Sequence, residues 1–240
     1  MLRRPQQVAI RYDPGSMNSG LTRPPEALTN VGVSTIDSLL NKRLGLLRLP
    51  APLESRFMRD HTTRRLNVTM ASGVVVAFLY NWILVADAVM IPDQFDLAVM
   101  LRMFVFTPVT LLLLLMVSRL PLVWLREGMI MFSGLLAAGI STYLSVISQH
   151  PNAGPYLVSL AVVVVFSNTV ARIRFGLALL LDIIVFGVFV WGALQITSAP
   201  REVMLPAGVM MLSLSVFTLY GCLTLELDER RTWLIRLRER

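Results

Sequence analysis

The sequence predicts an all-α polytopic membrane protein, a bundle of six transmembrane helices with both termini in the cytoplasm. Three observations carry that expectation. Six apolar runs of about twenty residues match the roughly 30 Å hydrocarbon core at about 1.5 Å per helical residue. Hydrophobic residues make up 55% of the 240, and the mean hydropathy of +0.65 lies far above that of a soluble domain. The basic residues cluster in alternate connections. Lipid offers no water to backbone groups, so runs of this kind must close their hydrogen bonds internally as helices.

The runs cover residues 67–87, 97–118, 128–148, 156–171, 175–196 and 203–225. The fourth is the shortest and borrows from its flanks. Ahead of them, residues 1–34 read as a disordered tail, polar and punctuated by Pro5, Pro14, Gly15, Gly20, Pro24 and Pro25. Residues 35–66 read as juxtamembrane amphipathic helices. Ile36, Leu39, Leu40, Leu44 and Leu47 share one face, while Lys42, Arg43 and Arg48 supply cations. Such a segment is expected in the headgroup region, in preference to packing on a cytoplasmic domain. Pro50 and Pro52 end it, and a second helix leads into the first span. Turn signals follow at Pro92, Pro121, Pro151 to Pro155 and Pro200. The connections are short, leaving no extracellular binding domain.

The net charge of +7 would suit nucleic acid if it formed a patch, so its distribution decides its meaning. All Lys and Arg but Arg102 and Arg201 lie before the first run, in the second-to-third and fourth-to-fifth connections, or after the sixth run. The first-to-second and third-to-fourth connections hold none. The positive-inside rule then puts both termini in the cytoplasm. The basic excess serves topology and anionic headgroups, which argues against nucleic acid as a partner.

Residues 226–240 are expected to continue the sixth span out of the bilayer as a cytoplasmic helix. The segment lacks Gly and Pro, and Glu226 stands four residues before Arg230, a spacing that supports a helix. Leu223, Leu227, Leu234 and Leu237 form a loose stripe on which a second copy could pair.

Charges inside a span cost about 2.5–3.5 kcal/mol each near the helix centre. Asp87, Arg102 and Asp182 therefore need a reason. Asp87 and Arg102 both fall near the outer leaflet, close enough for an ion pair, although Arg102 could also snorkel to headgroups. Asp182 lies about two turns in from the cytoplasmic side of the fifth run. Structural pairing is the favoured role for the three, ahead of a ligand or proton site. Asn81 and Asn168 are expected to hydrogen-bond across helices, and Thr107-Pro108 to kink the second span.

No catalytic, cofactor or metal constellation stands out. The histidines, His61 and His150, flank opposite sides of the membrane, and Cys222 is the only cysteine. Phosphate-loop, nucleophile-elbow and zinc-protease motifs are absent.

Several stretches resemble the N-terminal membrane region of bacterial diguanylate cyclases of the GGDEF type. They are residues 49–57 (LPAPLESRF) with 61–66 (HTTRRL), 80–87 (YNWILVAD) with 90–93 (MIPD), 101–108 (LRMFVFTP), 167–175 (SNTVARIRF) and 225–240 (LELDERRTWLIRLRER). The resemblance runs from about residue 49 to the end, and its motifs are loose patterns. It implies a sensory bundle in the bacterial inner membrane, dimeric, that signals through its last helix to a cytoplasmic effector domain. That domain makes cyclic di-GMP from two GTP. The chain departs from the family in having no Gly-Gly-Asp/Glu-Glu-Phe motif. Only the non-catalytic input half is therefore expected here, from a truncated or split cyclase, with no catalytic residue to transfer. The alternatives are a small transporter, which needs one polar cavity near the midplane, and the membrane domain of a class III adenylate cyclase.

Overall fold

A computed structural model describes residues 38–40, 49–119, 123–171, 173–196 and 201–239. The tail 1–34, most of the amphipathic segment 35–48, and the turns at Pro121 and Pro200 lie outside the described residues. Every element among the described residues is helical. In chain order they are α1 (Ala51–Trp82), α2 (Leu84–Met90), α3 (Phe95–Val99), α4 (Thr107–Arg119), α5 (Val123–Ile147), α6 (Ala153–Tyr156), α7 (Leu160–Thr169), α8 (Phe175–Gln195) and α9 (Arg201–Arg238).

Five helical stretches are long and apolar enough to cross a membrane: Met70–Met90, Pro92–Arg119, Trp124–Ile147, Phe175–Gln195 and Glu202–Arg238. The fourth predicted run is instead the shorter apolar stretch Ala153–Thr169, with a 3₁₀ turn at Leu157–Ser159 between α6 and α7. It lies in the interior of the bundle. α7 packs against α5, α8 and α9, and Leu160, Ala161, Val163, Val164, Ser167 and Asn168 are all buried. Large apolar side chains face outward around it, among them Phe104, Leu194 and Phe217, each at least 74% exposed. An apolar skin of that extent needs lipid or a partner to cover it.

The second apolar stretch changes winding midway. Residues Met100–Phe106 are π-helical, and the Thr107 N–H bonds back to the Arg102 carbonyl, five residues earlier. Pro108 follows directly. Lacking an N–H, it cannot hold the carbonyl four residues before it, and its ring crowds that carbonyl. The wider turn relieves both problems and rotates Arg102 inward. Thr107 Oγ1 donates a further 2.7 Å bond to the Arg102 carbonyl. The expected kink at Thr107-Pro108 thus takes the form of a π segment.

Two helices are longer than a bilayer core requires. α1 has 32 residues and α9 has 38, so at about 1.5 Å per residue each exceeds a 30 Å core by a wide margin. α1 opens with proline in its first turn, where no N–H is missed. The two projections meet. Leu49, Leu53, Phe57 and Leu234 form their own buried cluster, with Leu227, Trp233 and Leu237 packed against it. The start of α1 and the end of α9 therefore share one face of the bundle, here the terminal face; the opposite one is the loop face.

Close helix approach occurs at Gly73, where a Cβ would lie 2.6 Å from the flexible Leu114 Cδ1, and against a stiffer neighbour at Gly192. A Cβ there would lie 2.8 Å from Thr142 Cγ2 and 3.3 Å from Leu157 Cδ2. Thr142 is buried and β-branched, so its methyl has little freedom to retreat. Gly187 faces open space. Gly192→Ala should therefore cost about 1–3 kcal/mol by overpacking, whereas Gly187→Ala should be neutral or slightly stabilising through helix propensity. Thermal unfolding of both variants in lipid nanodiscs checks the contrast.

Candidate functional site

Polar groups in the apolar interior fall into two layers, and a third set closes the terminal face. The layer nearer the loop face is built on Asp87 and Arg102, both fully buried. Arg102 Nε donates to Asp87 Oδ2 at 2.6 Å and Nη2 to Oδ1 at 3.2 Å, a two-pronged pair. Tyr156, from α6, completes a triangle: its hydroxyl accepts from Arg102 Nη2 and donates to Asp87 Oδ1 at 2.6 Å. Arg102 Nη1 reaches the Tyr80 carbonyl at 3.3 Å. The Tyr80 ring lies 4.2 Å from the guanidinium carbon and 4.0 Å from the Phe106 ring. The Tyr80 hydroxyl donates to the Ala137 carbonyl at 2.9 Å, so α5 is tied in as well.

A buried charge with a matching fork, further hydrogen bonds and an aromatic face is tolerable where a lone one is not. Arg102 does not snorkel. Tyr80 and Tyr156 escaped the sequence reading, although one signal existed: Tyr80 precedes Asp87 by seven residues, about two helical turns, on the same face. Nothing in the sequence announces Tyr156.

Asn81 stands outside this layer. Its amide donates to the Thr107 hydroxyl at 2.8 Å and to the Ala77 carbonyl at 2.7 Å. It links α1 to the end of the π segment, across helices.

The second layer lies toward the terminal face, where α7 ends and α8 begins. Asn168 Nδ2 donates to Asp182 Oδ2 at 2.9 Å and to Thr218 Oγ1 at 3.0 Å, joining α7, α8 and α9. Asp182 has no basic partner among the described residues. Asn168 Oδ1 and Asp182 Oδ1 are buried without hydrogen-bond partners. The layers do not merge: Asp87 and Arg102 share no partner with Asp182 and Asn168. A small cavity of about 90 Å³ sits among α1, α4, α5 and α7, with Tyr80, Thr110, Leu114, Phe166 and Ser167 in its wall. Its lining is almost entirely apolar, unlike a transport path for polar solutes.

On the terminal face, Arg230 of α9 is nearly fully buried at 3% exposure. It grips Glu54 of α1 through two bonds, 2.7 and 2.9 Å, and Glu226 through bonds of 3.0 and 2.9 Å. Glu226 also accepts the Phe175 N–H at 2.8 Å, capping the start of α8. Phe57 and Trp233 meet edge to face at 5.4 Å, and the Phe57 ring sits 5.1 Å from the Arg230 guanidinium carbon. The leucine stripe is used here. Leu234 is fully buried against α1, Leu227 and Leu237 pack on the same cluster, and Leu223 is half-buried. A stripe expected to face a second copy is thus turned onto this chain's own first helix, because the length of α1 brings Leu53 and Phe57 beside it. Leu39 and Leu40, described residues of the amphipathic segment, pack on this cluster too.

Among the described residues no group of His, Cys, Asp and Glu could hold a metal ion. No protein family, curated protein or solved structure matches the chain.

Truncating one member of the Arg102–Asp87 pair strands the other charge in a dry interior. Arg102→Met and Asp87→Leu should each cost about 3–5 kcal/mol, and the double variant far less than their sum. Thermal unfolding of the full cycle in nanodiscs reads the coupling; additive losses would mean the two charges do not interact.

Proposed function

We propose that this chain is a membrane-embedded sensory and dimerisation input module that signals through α9 to a cytoplasmic effector domain. The resemblance noted above makes that effector a GGDEF-type cyclase producing cyclic di-GMP. In this reading the stretch Ala153–Thr169 also crosses the bilayer, for six spans in the bacterial inner membrane, with the terminal face in the cytoplasm. The basic residues flanking that face support this topology.

One observation carries the reading. α9 runs as a single helix from the loop face, through the apolar layer, to Arg238, and its projecting end is held by α1 at Glu54 and the Leu234 cluster. A rigid rod crossing the core and latched at its far end suits transmission of a bundle rearrangement. The latch gives that rod two competing partners. Held on α1, the stripe of Leu227, Leu234 and Leu237 is covered; released, it is free to pair with a second copy and bring two effector domains together. A stimulus that favours one bundle arrangement then shifts the population between the two. The transporter alternative needs Arg102, Asp182, Asn81 and Asn168 in one cavity, and their division into separate contacts deprives it of support. The adenylate cyclase alternative shares the same input logic and differs only in the effector.

Fusing residues 1–240 to a soluble GGDEF domain should give membrane-bound cyclic di-GMP synthesis. Glu54→Gln, which removes the charge from the latch, should raise that synthesis several-fold together with crosslinking between copies near Leu234. A fusion that stays monomeric and equally active with either residue at position 54 would defeat the proposal.

A further inference from the structure

The three helices joined at Asn168 carry an unbalanced set of hydrogen-bonding groups. Asn168 spends both amide hydrogens, one on Asp182 Oδ2 and one on Thr218 Oγ1. Thr218 passes its own hydrogen to the Leu214 carbonyl at 2.9 Å. Asn168 Oδ1 and Asp182 Oδ1 remain, both oxygens, both buried and both without a donor. Their residues are 0% and 4% exposed, which excludes bulk water as the missing partner. Two acceptors on adjacent, mutually bonded groups lack a single hydrogen between them.

We propose that Asp182 and Asn168 form an intramembrane proton-binding site. A proton added to Asp182 Oδ1 turns that atom from acceptor to donor. Asn168 Oδ1 then receives it, while the existing amide bond to Oδ2 stays in place. Acid and amide close into a two-bond ring, and one proton satisfies both orphaned oxygens. The carboxylate charge disappears in the same step, which matters because no Lys or Arg among the described residues pairs with Asp182. Its counterpart Asp87 needs no proton, since Arg102 and Tyr156 already supply three hydrogens to it.

No described ionisable group around the site offsets the Asp182 charge by pairing with it. From α9, Cys222 lies one turn beyond Thr218 and its thiol donates to the Ile173 carbonyl at 3.4 Å. Glu226 is a further turn on, committed to Arg230 and to the Phe175 N–H. From α5, Glu127 is held by Arg174 at 2.9 Å. From α7, the group facing Asp182 is the amide of Asn168. Loss of the proton places a bare negative charge where α7, α8 and α9 meet, about three turns of α9 from the Arg230 latch. This inference stands whether or not the chain is a sensor.

Infrared difference spectroscopy of the full chain in nanodiscs, between about pH 5 and pH 9, tests it directly. A protonated-carboxyl carbonyl band should be present at the acid end, fade as pH rises, and be missing from Asp182→Asn. Isotope-labelled aspartate should move the band in the unsubstituted protein, which keeps the test intact if the variant misfolds. Asn168→Leu removes the ring acceptor and should shift the band to the frequency of a free acid. The unfolding midpoint should fall as pH rises in the unsubstituted chain, because folding then requires a proton the solution withholds. In Asp182→Asn that slope should flatten. An aspartate ionised across the whole range would overturn the proposal. So would a midpoint that depends on sodium or lithium against choline at fixed pH, which would make a metal cation the occupant.

Discussion

A charge can remain in a dry interior only if the interior itself replaces the water it has lost, and the Arg102–Asp87 pair shows how much structure that demands. The guanidinium draws on α2 for its carboxylate, α1 for a carbonyl and an aromatic face, and α6 for a hydroxyl. Four segments must be in register before the charge is satisfied, so the pair specifies how the loop-face half assembles. The π segment belongs to the same constraint. An uninterrupted α-helical path through Met100–Phe106 would carry Arg102 to a different azimuth, and the missing N–H of Pro108 is what makes the wider turn acceptable. A backbone irregularity and a buried cation are therefore one design.

Much of the architecture was legible because lipid makes hydropathy decisive. The apolar runs, the helical continuation past Leu225 and the proximity of Asp87 to Arg102 all follow from length, spacing and the cost of charge in hydrocarbon. Other features were hidden for identifiable reasons. The run at 156–171 read as one more span; enclosed by α5, α8 and α9, a helix of that kind is apolar whether it meets lipid or protein, and composition does not separate the two. The leucine stripe in 223–237 was readable as a stripe and silent about its partner. Periodicity says that a face is buried, never against what. Glu54 and Arg230 are 176 residues apart, and a pairing across that separation leaves no local trace in a single sequence. The missing group between Asn168 and Asp182 is visible only when donors and acceptors are counted in three dimensions.

α9 is the element on which both halves of the molecule depend. It packs along α7 and α8 inside the apolar layer, supplies Thr218 to the Asn168 amide, caps α8 through Glu226, and closes on α1 through Arg230 and Leu234. These contacts occur in succession along one helix at about one-turn intervals, from Thr218 through Cys222 and Glu226 to Arg230. A change at the first would be felt at the last without passing through any loop, since a helix resists axial compression and twisting far better than a connection does. The order of strength along that path also matters. Arg230 is clasped by two carboxylates and an aromatic ring, whereas Thr218 is held by one amide hydrogen whose residue has an oxygen unspent. α9 is thus held firmly at its projecting end and less completely at the Asn168 layer. On the proposed reading, a change at the Asn168 layer, where two oxygens still lack a donor, would reach, through α9, the surface where Leu234 is covered.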